Sequence, residues 1–86
     1  MREYSFMAVF EPGKRGEYSV YFPDLPGCTS WGRNLEHAQE MTHEALEIHL
    51  GGMLEDGDEI PAPSEEPEIF PGTEKGYKTG FITVWL

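Results

Sequence analysis

Residues 17–32 read EYSVYFPDLPGCTSWG, and the fold can be worked outward from this stretch. Residues 17–22 alternate between two sets of side chains with a period of two, which predicts a strand. Pro23 and Pro26 lack the N–H that a central strand donates, so PDLPG is expected to form a bend. Cys28 to Trp31 then provides a further short strand. The stretch therefore predicts two strands joined by a proline-fixed bend.

The sequence before this stretch predicts a partner strand, because residues 3–11 (EYSFMAVFE) also alternate. Residues 12–16 (PGKRG) form a turn by their Pro and Gly content, so the first two strands make a hairpin. After Gly32-Arg33 a helix begins with Asn34 as its N-cap, and residues 77–86 (YKTGFITVWL) close the chain as a strand. The order β-β-β-α-β predicts an α+β fold, with one antiparallel-type sheet and a single helix on one face.

The helix is amphipathic at about 100° per residue. We expect its core-facing side to centre on a line through Ala38, formed by Leu35, Ala38, Met41, Ala45, His49, Gly52 and Met53. The opposite side carries Glu36, Glu40, Glu44 and Glu47. The helix either stops at Gly51-Gly52 or continues to about Leu54 and ends near Gly57. We favour continuation, because a glycine on the apolar side permits close packing on the sheet.

Residues 55–76 contain four prolines and a series of acidic side chains, and they predict a long irregular connection, most irregular at 65–76. In the closing strand, Ile82, Val84 and Leu86 can face the helix, which leaves Phe81 and Trp85 on the other face. One helix covers only one face of a sheet, so an aromatic second face would be exposed in a monomer. A homodimer or higher homo-oligomer through Phe81 and Trp85 is therefore expected.

Composition bounds the function. The chain has 86 residues, which predicts one domain over 1–86, and 16 acidic against 6 basic residues give a net charge of −10. The electrostatic field of this negative charge repels the phosphates of nucleic acids and attracts basic proteins. We therefore expect a basic protein partner and no direct nucleic-acid binding. Cys28 is the only cysteine, and neither a signal peptide nor a membrane-spanning segment is evident. A cytoplasmic location is expected.

Candidate chemistry is sparse. His37, His43 and His49 are spaced by six residues and point in three directions from one helix, so they cannot share a metal ion. Asp56-Gly57-Asp58 lacks the later ligands of a calcium loop. No nucleophile elbow or phosphate-binding glycine loop occurs. The sequence predicts no catalytic residue, no metal and no cofactor, hence a protein that is not an enzyme.

Three sequence blocks resemble the amino-terminal domain of HicB-type antitoxins. They are Phe22-Pro23-Asp24-Leu25-Pro26-Gly27-Cys28, then Asn34-Leu35-Glu36-His37-Ala38, then residues 54–64, LEDGDEIPAPS. The three blocks occur in the family's order, and the resemblance as a whole covers residues 4–64. The resemblance implies a partial RNase H-like fold without nuclease function, and an inhibitory complex with HicA, a small basic RNA-cleaving toxin.

The resemblance implies toxin neutralisation, in which an acidic protein covers the cationic RNA-binding and active surface of its partner. From acidity and exposure we predict partner contacts at Asp24, Glu36, Glu40, Glu44, Glu47, Asp56, Asp58 and Glu59. Phe22, Pro23, Leu25, Pro26 and Gly27 are assigned a structural role, and Trp31 is either an interface anchor or a core residue. The alternatives are a stand-alone adaptor or ligand-binding domain without a toxin, and a magnesium-dependent nuclease.

Overall fold

The computed structural model describes residues 1–86 and contains four strands and one helix. The elements are β1 (Glu3–Pro12), β2 (Tyr18–Tyr21), β3 (Thr29–Gly32), α1 (Leu35–Asp56) and β4 (Lys78–Trp85). The strands form one sheet in the order β3-β2-β1-β4, and every neighbouring pair is antiparallel. The predicted β-β-β-α-β order, with one antiparallel sheet and one helix, is confirmed.

The long central strand β1 fixes the register on both of its sides. It pairs with β2 through a tight turn, with Phe10 opposite Val20. It pairs with β4 along eight residues, from Glu3 opposite Trp85 to Phe10 opposite Lys78. Side chains on a strand alternate between faces, and the even-numbered residues of β1 therefore point to the helix, where Phe6, Ala8 and Phe10 are buried.

The bend at residues 22–28 is a compact unit that closes on itself. The Leu25 N–H donates to the Phe22 carbonyl at 3.1 Å, and the Cys28 N–H donates to the Leu25 carbonyl at 3.0 Å. Phe22, Leu25 and Cys28 are buried. Gly27 has a φ of 88°, a left-handed conformation that favours glycine. The bend therefore carries three core side chains between the end of β2 and the start of β3.

The helix contacts the sheet through a row of residues spaced four apart: Ala38, Thr42, Leu46 and Leu50, all fully buried. The predicted core line was wrong by a rotation of roughly 60° at about 100° per residue. Met41, expected inside, is 39% exposed, while His49 and Gly52 are only half-buried. Apolar residues occur around most of this helix, so periodicity alone did not distinguish the face that packs from its neighbour.

The helix continues through Gly51-Gly52 and ends at Asp56, as we favoured from the sequence. Gly57 adopts the left-handed conformation after it, with φ 74°, and the Asp58 N–H donates to the Met53 carbonyl at 2.9 Å. The reason given for continuation was wrong, however. A Cβ added at Gly52 would meet no atom within 4 Å, so this glycine permits no close approach to the sheet.

Residues 57–76 pass from the end of α1 to the face of the sheet opposite the helix. Three contacts define this path. The Ser64 N–H donates to the Asp24 carboxylate, the Phe70 ring stacks on the Tyr21 ring, and the Glu74 N–H donates to the Glu11 carboxylate. Val9 points to this face and is nonetheless fully buried. The expectation that the helix alone covers the sheet was therefore incomplete, because this segment covers the second face over β1 and β2.

The phenol of Tyr21 anchors the 65–76 segment. Its ring stacks on Phe70 with centroids 4.8 Å apart. Its hydroxyl oxygen lies 2.6 Å from the Thr73 hydroxyl and accepts the Phe70 N–H at 3.1 Å. Between this segment and the 22–28 bend lies an open cleft of about 360 Å³, with Cys28 among its lining residues.

The helix α1 lacks the long apolar stretch that a membrane-spanning helix requires.

Candidate functional site

Four carboxylates project from the exposed side of α1: Glu36, Glu40, Glu44 and Glu47. No Lys or Arg lies within 4.0 Å of any of them, and their one ionic contact joins His43 Nδ1 to Glu47 Oε1 at 3.3 Å. The helix also has no basic residue in its last turn. Much of the negative charge of this chain is therefore uncompensated along one side of the helix.

An open groove of about 520 Å³ lies between this helix and the edge strand β3, and we call it the β3–α1 groove. Its lining residues are Thr29, Ser30 and Trp31 from β3, and Met41, Glu44, Ala45 and Ile48 from α1. Trp31, Met41 and Ile48 are exposed by 52%, 39% and 69%. The groove therefore combines three large apolar side chains with the Glu44 carboxylate, beside the open edge of the sheet.

The turn from β3 into α1 holds the two walls of the groove together. Asn34 caps the helix by accepting the His37 N–H at 2.8 Å. His37 Nδ1 in turn accepts the Arg33 N–H at 3.0 Å. The His37 ring meets the Trp31 ring edge to face, with centroids 6.2 Å apart. The N-cap and His37 therefore fix the end of the groove where Trp31 lies.

Gly32 sets the distance between the two walls. A Cβ at this position would overlap the backbone N and Cα of Ala38 in the first turn of the helix. Its φ is not positive, so glycine is required here by the close approach of the helix and not by its own conformation. This contact places β3 directly against α1, which brings Trp31 within reach of Met41.

The structure separates the predicted partner-binding residues into three places. Glu36, Glu40, Glu44 and Glu47 share the helix flank. Asp56, Asp58 and Glu59 lie exposed at the other end of a helix that is about 33 Å long at 1.5 Å per residue. The Asp24 carboxylate accepts both the N–H and the hydroxyl of Ser64 at 2.8 Å. Both carboxylate oxygens of Asp24 therefore already accept hydrogen bonds from within the chain.

Trp31, Met41 and Ile48 complete the site that the carboxylates alone did not define. The sequence allows Trp31 to be either an interface anchor or a core residue and predicts Met41 in the core, whereas the structure exposes both side chains. Ile48, for which no role is predicted, is exposed beside them. A sequence signal existed, because Met41, Glu44, Ala45 and Ile48 follow the i, i+3, i+4, i+7 spacing of one helix side. Their association with Trp31, however, is a tertiary contact.

The chain brings no three His, Cys, Asp or Glu side chains together in a geometry that could hold a metal ion. Burial of Cys28 raises the pKa of its thiol to about 11. The thiolate, which is the nucleophilic form, is therefore scarce near neutral pH.

Comparison with known proteins identifies relatives of this architecture. A family model described as "HicB_like antitoxin of bacterial toxin-antitoxin system" matches residues 6–84. Antitoxin HicB 1 of Photorhabdus laumondii is 36% identical over 58 residues, which cover 67% of this chain and 37% of that protein. Across four curated relatives, the matched region spans between 37% and 65% of the relative's length.

Two solved structures show the same fold. The N-terminal domain of the Burkholderia pseudomallei antitoxin HicB superposes with a TM-score of 0.72 at 27% identity, covering 96% of this chain and all of that domain. A toxin–antitoxin complex from Streptococcus pneumoniae contains a chain with a TM-score of 0.77 at 19% identity, covering 95% of this chain and 69% of that one. At that identity the second likeness concerns the fold alone.

Proposed function

This chain belongs to the HicB-like antitoxin family, and from that premise we propose that it binds and neutralises a small basic HicA-like, RNA-cleaving toxin in the cytoplasm. Residues 1–86 act as one binding domain that covers the RNA-binding surface of the toxin. The observation that carries this proposal is the β3–α1 groove, where exposed apolar side chains lie beside uncompensated carboxylates.

The two parts of this surface have different tasks. A protein that binds RNA presents cationic side chains to phosphates, and the helix carboxylates match such a surface in charge. Electrostatic complementarity of this kind mainly accelerates association and selects the partner. Buried aromatic anchors mainly slow dissociation, and Trp is enriched among such anchors. We therefore assign steering to Glu36, Glu40 and Glu44, and anchoring to Trp31.

In this role the chain carries out no reaction of its own, and burial raises the pKa of the Cys28 thiol to about 11, which keeps the thiol protonated near neutral pH. Neutralisation then depends on occupancy, since a toxin whose RNA-binding surface is covered cannot bind its substrate. The affinity should fall as ionic strength rises, because salt screens charges that are more than about 8 to 10 Å apart at physiological concentrations.

The experiment is capture with the tagged chain from cells that express it naturally, followed by reconstitution with the purified partner. A small basic RNA-cleaving protein should be retained at low salt and released at high salt. Recovery of no basic protein would instead favour the stand-alone adaptor or ligand-binding alternative, for which the cleft of about 360 Å³ beside Tyr21 is the available cavity.

Matched tryptophan variants locate the surface. Trp31 and Trp85 are exposed by 52% and 54%, on opposite edge strands. Trp31→Ala should weaken binding of the purified partner roughly thirtyfold or more, as loss of an anchor of about 2 kcal/mol requires. Trp85→Ala should leave the affinity unchanged. Equal affinities for both variants and the wild type would exclude the groove as the binding surface.

A further inference from the structure

The strand β4 is an open edge of the sheet, and it lacks the features that usually protect such edges. Proteins prevent edge-to-edge pairing with short strands, prolines, bulges and charged side chains. Over Lys78–Trp85, β4 is eight residues long, whereas the opposite edge strand β3 has four. It contains no proline, and its one charge is Lys78 at its start. The backbone groups along its outer side are available to another strand.

The charge pattern favours a second copy as the occupant of this edge. Two chains that each carry a net charge of −10 repel one another over most of their surfaces. Residues 77–86 contain none of the 16 acidic residues and include one lysine. The edge is therefore the place where two copies can approach each other with the least electrostatic cost.

The exposed aromatic residues lie on the same strand. The 65–76 segment covers the non-helical face over β1 and β2, where Val9 is buried, but it leaves the β4 side of that face bare. Phe81 and Trp85 are exposed there by 59% and 54%. They stand opposite Met7 and Glu3 of β1. A partner along this edge would cover the part of the face that the chain itself leaves open.

We propose that two copies of this chain pair antiparallel through β4, with Thr83 on the two-fold axis. Directly opposite residues in an antiparallel pair point to the same face, so this register sets Phe81 of one copy against Trp85 of the other. Both aromatic pairs then lie on the β4 side of the non-helical face, which the 65–76 segment leaves uncovered. The two four-stranded sheets then form one continuous eight-stranded sheet.

This arrangement leaves both β3–α1 grooves open, because β3 is the opposite edge of each sheet. The dimer would therefore display two toxin-binding grooves at its two ends. Its existence does not depend on the toxin, and either proposal can fail without the other.

The dimer is expected to be weak. The four half-exposed aromatic side chains would bury on the order of 400–500 Å², whereas a stable standard interface buries about 1,200–2,000 Å² in total. Backbone pairing and the flanking side chains supply the remaining contact. We therefore expect dissociation at micromolar concentrations.

Sedimentation of the purified chain across the micromolar range provides the first test. The wild type should shift from the mass of one chain to twice that mass as concentration rises, and Phe81→Glu should raise the dissociation constant at least tenfold while circular dichroism stays unchanged. A wild type that remains a single chain throughout would overturn the proposal. So would a dimer that Phe81→Glu does not weaken.

Disulfide trapping tests the register. Opposite residues of an antiparallel pair have Cα atoms about 4.5–5.5 Å apart, within the range of about 4.4–6.8 Å that a disulfide spans. Oxidised Thr83→Cys should give a covalent dimer, while the control Ser30→Cys on the β3 edge should not. Trapping at Ser30 and not at Thr83 would show that the copies pair through the wrong edge and would overturn the proposal.

Discussion

Replacing Gly32 with alanine tests the contact that builds the β3–α1 groove. A Cβ at this position would overlap the backbone N and Cα of Ala38, and backbone atoms at the start of a capped helix cannot move aside as a flexible side chain can. Overpacking in a core costs typically about 1–3 kcal/mol. Because the clash is with backbone atoms, we expect Gly32→Ala to lower the free energy of unfolding by about 3 kcal/mol, the upper end of that range.

The same chain provides the control. Gly51 and Gly52 lie in the interior of α1, and a Cβ at either would meet nothing within 4 Å. Alanine there should stabilise the helix by up to about 1 kcal/mol per site. One chemical change, glycine to alanine, is thus expected to have opposite effects at positions that differ in the space available.

The assay is thermal and urea unfolding followed by circular dichroism at one fixed protein concentration, because self-association changes apparent stability. In a domain of this size about 1 kcal/mol corresponds to roughly 4–8 °C in Tm. Gly32→Ala should lower Tm by about 10–25 °C, and Gly51→Ala should raise it by several degrees. A Gly32→Ala variant as stable as the wild type would refute the close approach of β3 and α1.

Three further changes test other parts of the fold. Thr42→Val should raise the free energy of unfolding by about 1 kcal/mol in urea titrations, because the buried Thr42 hydroxyl has no hydrogen-bond partner; a loss would reveal a partner. Asp24→Ala should cost about 1–2 kcal/mol and speed hydrogen exchange at the Ser64 amide, whose bond to the carboxylate it removes, whereas the exposed Asp58→Ala should do neither. Burial raises the Cys28 pKa from 9.0 to about 11, so the folded thiol resists ionisation. The preference of the folded state for the protonated thiol contributes about 2–3 kcal/mol at most to the free energy of unfolding; this contribution is present below pH 9 and disappears as pH rises towards 11. In Cys28→Ala the free energy of unfolding should therefore fall less steeply between pH 9 and 11, and identical slopes for the variant and the wild type would contradict the assignment.

The strands were predictable because their signal is local. Alternation over β1 and the prolines of the 22–28 bend fixed the strand boundaries to within one or two residues. The Asn34 cap and Gly57 likewise marked the two ends of the helix. These features depend on residues that are neighbours in sequence, which is where periodicity and backbone restrictions act.

The rotation of the helix and the path of the 65–76 segment were not predictable in this way. Leu46 and Ile48 are both apolar, yet the first is fully buried and the second is 69% exposed. The close contact at Gly32 helps to decide between them. The segment is held by hydrogen bonds between residues 49 to 63 positions apart, which no local pattern encodes. The groove was missed for the same reason.

The carboxylates of the candidate site and their shared side of α1 followed from the sequence, but the residues that surround them did not. Helical spacing placed Glu36, Glu40, Glu44 and Glu47 on one side of α1. It could not show that Trp31 lies beside them, nor that Asp24 is bonded to Ser64. Partner binding at Asp56, Asp58 and Glu59 stays a prediction.

The most direct measurement is RNA cleavage by the purified basic partner, titrated with this chain. We expect cleavage to stop when one chain is present per toxin molecule, to persist in part with an equal amount of Trp31→Ala, and to be absent when the chain is incubated alone with RNA and Mg²⁺. Cleavage that continues unchanged with excess wild-type chain, or cleavage by the chain itself, would contradict neutralisation by surface coverage.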